Sequence, residues 1–193
     1  DGYYYLFLAY GSLSVEYNTR VCRSRNIDGP YVDIHGNSAM GSAQLYPILT
    51  APYRFDNSYG WVGISHCGIF DDGAGNWFYT SQGRFPVNVG GNEYSNAIMM
   101  GHVRSIRWDA NGWPLVMPER YGAVPQAPIT ENEIAGDWEH LALTNSTGTQ
   151  RTSETMTYDL DTHKITSGSW KNATWTFDAA TQTITTSAGV VLY

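Results

Sequence analysis

Trp61-Val62-Gly63-Ile64-Ser65-His66-Cys67-Gly68-Ile69-Phe70 is the stretch on which the fold reading turns. It sets one histidine among small residues inside an apolar, β-branched run, which suits an extended backbone. Further on, Ser105-Ile106-Arg107-Trp108-Asp109-Ala110-Asn111-Gly112-Trp113-Pro114 adds a second run, closed by an Asn-Gly turn with tryptophan on both sides. Working outward, Tyr3 to Tyr10, Thr19 to Arg25, Trp77 to Ser81 and Ala97 to Trp108 read as strands of the same kind. Turn signals stand between them: Asp28-Gly29-Pro30, His35-Gly36-Asn37, Asp72-Gly73-Ala74-Gly75-Asn76 and Gly90-Gly91-Asn92. Helical periodicity is absent, so the chain reads as all-β, with four-strand units spaced like propeller blades.

Composition supports a sheet protein. Aromatic residues make up 14% and charged residues 15% of 193 positions. A net charge of −7 argues against nucleic acid and against an anionic membrane surface as partners. No apolar run is long enough for a transmembrane helix. Cys22 and Cys67 are too few for a disulfide framework, and each sits in a strand pattern, so both are read as buried free thiols.

A Pro-bearing linker, Val124-Pro125-Gln126-Ala127-Pro128, divides the chain. The expected organisation is 1–123 as propeller blades, 124–131 as linker and 132–193 as a small antiparallel barrel or sandwich. In the last part, Met156 to Leu160, Gly168 to Trp170, Trp175 to Asp178 and Thr183 to Thr186 read as strands. Residues 124–193 carry three basic and eight acidic side chains, against eight and ten in 1–123, which points to a solvated, non-catalytic surface there.

Several motifs in order resemble the endo-1,5-α-L-arabinanases of glycoside hydrolase family 43. They are Tyr3-Tyr4-Tyr5-Leu6-Phe7-Leu8-Ala9-Tyr10-Gly11-Ser12, Tyr17-Asn18-Thr19-Arg20-Val21, Gly29-Pro30-Tyr31-Val32-Asp33, Gly60-Trp61-Val62-Gly63-Ile64-Ser65-His66, and Gly112-Trp113-Pro114 with Met117-Pro118-Glu119-Arg120-Tyr121. The resemblance implies the C-terminal blades of a five-bladed β-propeller followed by a C-terminal β-barrel module. It implies inverting endo-hydrolysis of arabinan or arabino-oligosaccharides, outside the cell or in the periplasm, where polymeric substrate is found. It also implies that His66 holds a calcium ion, otherwise hydrated, in the central channel. Read without the resemblance, a single His in an apolar strand is a buried ring satisfied by hydrogen bonds.

Inverting hydrolysis needs one carboxylic acid and one carboxylate base flanking the glycosidic bond. No match to the family's catalytic carboxylate motifs is found in residues 1–193, so these groups are expected upstream, in an N-terminal segment of the same enzyme. This segment alone is then expected to be inactive. Glu16, Asp71, Asp72 and Glu93 lie in loops beside Gly and Asn, where carboxylates are usually solvated turn formers, and Glu119 reads as a partner of a nearby Arg. Tyr17, Asn18 and His102 are the candidate sugar contacts: Tyr by stacking, Asn by hydrogen bonding a hydroxyl, His102 because strand alternation aims it opposite Val103. The bland alternatives are a hairpin closure for Tyr17-Asn18 and a satisfied strand His for His102. Trp61, Trp77, Trp108 and Trp113 read as blade core, and Trp170 and Trp175 as core of the second module. A degenerate carbohydrate-binding propeller, or an arabinofuranosidase or xylosidase of the same family, are the rival readings.

Overall fold

A computed structural model describes residues 2–41, 44–89, 98–124, 126–143 and 148–193. Glu93, the Gly90-Gly91-Asn92 turn, Ala97, Pro125 and the stretch Asn145-Ser146-Thr147, which matches the N-glycosylation pattern, lie outside the described residues. The chain is all-β, with no α-helix among the described residues. It divides into two compact units, one of residues 1–122 and 142–151, the other of 123–141 and 152–193. Segment 142–151, expected in the second module, thus counts with the first.

Eight strands form most of the first unit: β1 (Tyr4–Tyr10), β2 (Asn18–Ser24), β3 (Ile48–Thr50), β4 (Tyr53–Arg54), β5 (Val62–Asp71), β6 (Trp77–Arg84), β7 (Met99–Trp108) and β8 (Pro114–Val116). They make a three-stranded sheet, β1-β2-β3, and a four-stranded sheet, β5-β6-β7-β8. Both are antiparallel meanders, each strand pairing with the next in sequence. The four-stranded meander is the unit from which propeller blades are built. Of the eight strands, β1, β2, β5, β6 and β7 lie within a few residues of the strands read from the sequence, whereas the short β3, β4 and β8 were not read as strands.

Three loops share one device. Asp33, Asp72 and Asp109 each use their backbone N–H to bond the carbonyl four residues on, in Asn37, Asn76 and Trp113. The carboxylate of each then accepts the following backbone N–H groups, such as Asn111 and Trp113 for Asp109, at 2.8 and 2.7 Å. The β7–β8 hairpin is therefore closed by Asp109 as much as by Asn111-Gly112, where Gly112 takes φ +77°. Of the four expected blade-core tryptophans, Trp113 is buried, but Trp77 is 36% exposed, with its ring edge-on to Trp108 at 5.6 Å.

In the second unit, β9 (Gly136–His140), β11 (Glu154–Asp159) and β12 (Lys164–Ile165) form one sheet in the order β12-β11-β9. The strands β13 (Trp175–Asp178), β14 (Thr183–Thr186) and β15 (Val191–Leu192) form another. The short strand β10 (Arg151–Thr152) precedes β11, and the Arg151 N–H donates to the Pro52 carbonyl in the first unit's own fold. Ile134, Met156, Tyr158, Ile165 and Trp175 make the second core, with Trp170 packed partly against it. The expected strand at Gly168 to Trp170 is a turn instead. Gly168 sits at φ +76°, where a Cβ would lie 2.7 Å from Met156 Cγ, so the close approach of the turn to the core excludes a pleated strand.

Candidate functional site

Two insertions in β5 create the site. Val62 pairs with Arg84, Ser65 with Gln82 and Gly68 with Thr80, so β5 spends three residues on each two of β6, twice in succession. Each extra residue is a β-bulge, and each bulge holds a left-handed residue: Gly63 at φ +64° and His66 at φ +61°. At Gly63 a side chain is impossible without displacement, since a Cβ would stand 2.4 Å from Arg84 Nη1 and 2.9 Å from the Ser14 carbonyl. At His66 the left-handed backbone carries a real side chain and its steric cost.

The double bulge undoes strand alternation. Val62, Gly63, Ile64 and Ser65 are all buried, and His66 is then exposed. Behind the bulge lies a buried polar network. Ser65 Oγ donates to the Asn18 carbonyl at 3.0 Å and lies 2.9 Å from Thr19 Oγ1, which lies 2.7 Å from the Tyr79 hydroxyl. Thr50 Oγ1 accepts from the Thr19 N–H at 3.1 Å and donates to the Ile64 carbonyl at 2.7 Å. These bonds join β2, β3, β5 and β6 around the bulge and fix where His66 emerges. Desolvation pushes the Tyr79 hydroxyl up to about 12 and raises the Cys67 thiol, so the wall behind His66 is uncharged at neutral pH.

In front of it is an open depression of about 260 Å³ lined by Phe7, Ala9, Tyr17, His66 and Cys67. The structure thus brings together two of the four sequence candidates, His66 and Tyr17, and the reading of His66 as a buried, satisfied ring is excluded by its exposure. Cys67 is free and half-buried rather than buried. The other two candidates lie elsewhere. Asn18 is 1% exposed, its Nδ2 donates to the Tyr10 and Glu16 carbonyls at 3.2 and 2.8 Å, and its Oδ1 accepts from Arg20 Nε at 3.1 Å. Its amide is committed to closing the β1–β2 hairpin, the bland alternative.

His102 is 2% exposed, edge-on to Trp61 at 4.2 Å and tight beneath Gly83, where a Cβ would meet its Cε1 at 2.5 Å. Burial, and then the charges of Arg104 and Arg120, push its pKa down to about 3, so it is a neutral ring packed in the sheet. Strand alternation aimed it correctly away from Val103, but toward the protein interior. The loop carboxylates are turn formers as expected. Asp71 Oδ1 accepts from the Gly73 N–H at 2.9 Å, Asp72 Oδ1 accepts from the Ala74 N–H at 2.8 Å, and Glu16 accepts from the Ser12 N–H at 3.4 Å.

No carboxylate among the described residues lines the depression. Among the described residues no group of three or more His, Cys, Asp or Glu side chains could enclose a metal ion. One exposed imidazole beside this much open space fits a cation that keeps most of its water shell, and does not fit one stripped of it. Sequence reasoning missed the bulge and the lining role of Phe7, Ala9 and Cys67. The signal was present in Gly63 and Gly68, because glycine inside a strand marks a bulge or a close backbone approach.

Residues 1–114 match glycosyl hydrolases family 43, and residues 118–193 match a C-terminal lipocalin-like domain. An extracellular endo-α-(1→5)-L-arabinanase of Thermotoga petrophila is 30% identical over 156 residues, 72% of this chain. Extracellular endo-α-(1→5)-L-arabinanase 2 of Bacillus subtilis is 29% identical over 157 residues, 71% of this chain. The aligned part is 32% of each relative, so the chain matches about a third of their length. The crystal structure of the Thermotoga petrophila endo-1,5-α-L-arabinanase in complex with Tris superposes with a TM-score of 0.81 at 23% identity, covering 100% of this chain and 43% of that one. This last likeness speaks for the fold.

Proposed function

Given that the chain belongs to glycosyl hydrolases family 43, we propose that it forms the C-terminal part of an endo-1,5-α-L-arabinanase: closing blades of the propeller, then the second module. The observation that carries this reading is His66, pushed out by the β5 bulge into an open depression that no carboxylate lines among the described residues. In this reading the acid and the base come from another segment of the same protein. One protonates the leaving oxygen and the other activates water, in a single displacement that inverts the anomeric centre. The part described here supports the cleft floor. Tyr17, which is 8% exposed, can offer a furanose only the part of its ring that lines the depression. The His66 imidazole supplies one donor to a hydrated calcium ion. When bound, that ion is a fixed positive charge that favours the ionised form of a nearby carboxylate. The fixed bulge and the uncharged network behind it keep His66 in place without a competing ligand. Arabinan is a polymer, so the enzyme acts outside the cell or in the periplasm.

The test is debranched arabinan incubated with the protein that carries this chain and followed by proton NMR. Internal cleavage with a β-configured new reducing end appearing first supports the proposal. An α-anomer first overturns inversion, and release of single arabinose units only overturns endo action. Binding of arabinan without any release of sugar overturns hydrolysis and leaves a carbohydrate-binding propeller.

A further inference from the structure

Arg104, on β7, is a buried cation, 1% exposed, with no carboxylate partner among the described residues. Its Nε donates to the Pro118 carbonyl at 3.3 Å and its Nη2 to the Tyr53 hydroxyl at 3.2 Å, while Nη1 has no partner. A guanidinium is always protonated, and burying one without an anion is costly. Pro118, Tyr53 and Arg104 all line a cavity of about 20 Å³, whose remaining walls include Leu49, Ala51, Val116 and Leu143.

The side-chain donors and acceptors favour an acceptor as the occupant. The Tyr53 hydroxyl donates to the Pro118 carbonyl and accepts from Arg104. Thr50 Oγ1, also on the cavity wall, donates to the Ile64 carbonyl and accepts from the Thr19 N–H. The hydroxyl protons are thus spent, and Arg104 Nη1 remains as a free donor with two hydrogens. A buried water needs two to four polar partners and must place its own hydrogens, whereas an acceptor-only particle needs donors alone. The space takes one particle of about water size. From this we infer that the first unit binds a single monovalent anion of halide size beside Arg104 Nη1, between β3–β4 and β7–β8. Weakly hydrated halides suit the apolar walls, and sulfate or phosphate is too large. The inference is independent of any catalytic reading.

Crystals of the protein soaked in sodium bromide test it directly. An anomalous peak within hydrogen-bond distance of Nη1 is expected. A water or an empty cavity at that place, with bromide only at the surface, overturns it. In solution, chloride at ten times its dissociation constant should lower the unfolding equilibrium constant about tenfold relative to gluconate at equal ionic strength. Arg104→Met should abolish that difference, and an equal chloride effect in this variant overturns the assignment. If the variant does not fold, the bromide map of the unaltered protein still decides.

Discussion

His66 carries a side chain at φ +61°, and replacing it separates backbone strain from ligand chemistry. A left-handed backbone costs an L-residue about 1–2 kcal/mol, and alanine bears the same cost as histidine there. Glycine is free of it but pays about 0.4–1 kcal/mol through the greater freedom of the unfolded chain. The imidazole is exposed, so its removal alone shifts stability by no more than about 0.5 kcal/mol. His66→Ala should therefore match the parent, and His66→Gly should exceed His66→Ala by about 0.5–1 kcal/mol. Urea unfolding in the presence of EDTA measures this from the midpoint, with the slope unchanged between variants. EDTA matters because any bound cation would stabilise the histidine form alone. If His66 holds the calcium ion proposed above, both variants should also lose the stabilisation that added calcium gives the parent. A glycine variant no more stable than the alanine variant would refute the claim that the β5 bulge is held against a steric cost at position 66.

Other variants probe the parts that hold the bulge. Ser65→Ala leaves the Asn18 carbonyl without its donor at 3.0 Å and Thr19 Oγ1 without its neighbour at 2.9 Å, and should cost about 1–3 kcal/mol by denaturant unfolding. Gly63→Ala should cost at least about 1–2 kcal/mol from its φ of +64° alone, before Arg84 is displaced, and a neutral result would count against the first bulge, between Val62 and Ser65. His102 is held near pKa 3 when folded but titrates near 6.5 when unfolded, so its contribution is present above pH 6.5 and is lost as pH falls toward 3. His102→Gln should flatten the stability profile across that window by up to one proton, about 1.4 kcal/mol per pH unit. In the second unit, Trp175→Ala removes the largest fully buried side chain and should cost about 3–5 kcal/mol in that unit's unfolding.

The strands were legible because their cause is local. β1, β2, β5, β6 and β7 fall on aromatic and β-branched runs, and their ends fall on Gly, Asn and Asp, whose side chains or freedom at positive φ make the turns. Gly168 to Trp170 failed because its hydrophobic content reflects a turn pressed on a core, which a short apolar run does not distinguish from a strand. The candidate site divided along the same line. Tyr17 and His66 were found through motif order, and Asn18 and His102 were placed in the interior by contacts with residues distant in sequence.

By itself the sequence determined the all-β class, the turn positions, the uncharged character of the strand around His66 and the family to which these motifs belong. Only the tertiary structure decided the direction in which His66 faces. Strand alternation has a period of two, so each inserted residue in β5 reverses the face of everything after it, and whether β5 or β6 carries the extra residue is set by their pairing. It also decided that Arg104 is buried without an anion. An arginine in a strand is ordinarily solvated, and its isolation here comes from the approach of Leu49, Tyr53, Pro118 and Leu143, which lie at 14 to 55 positions from it in the chain.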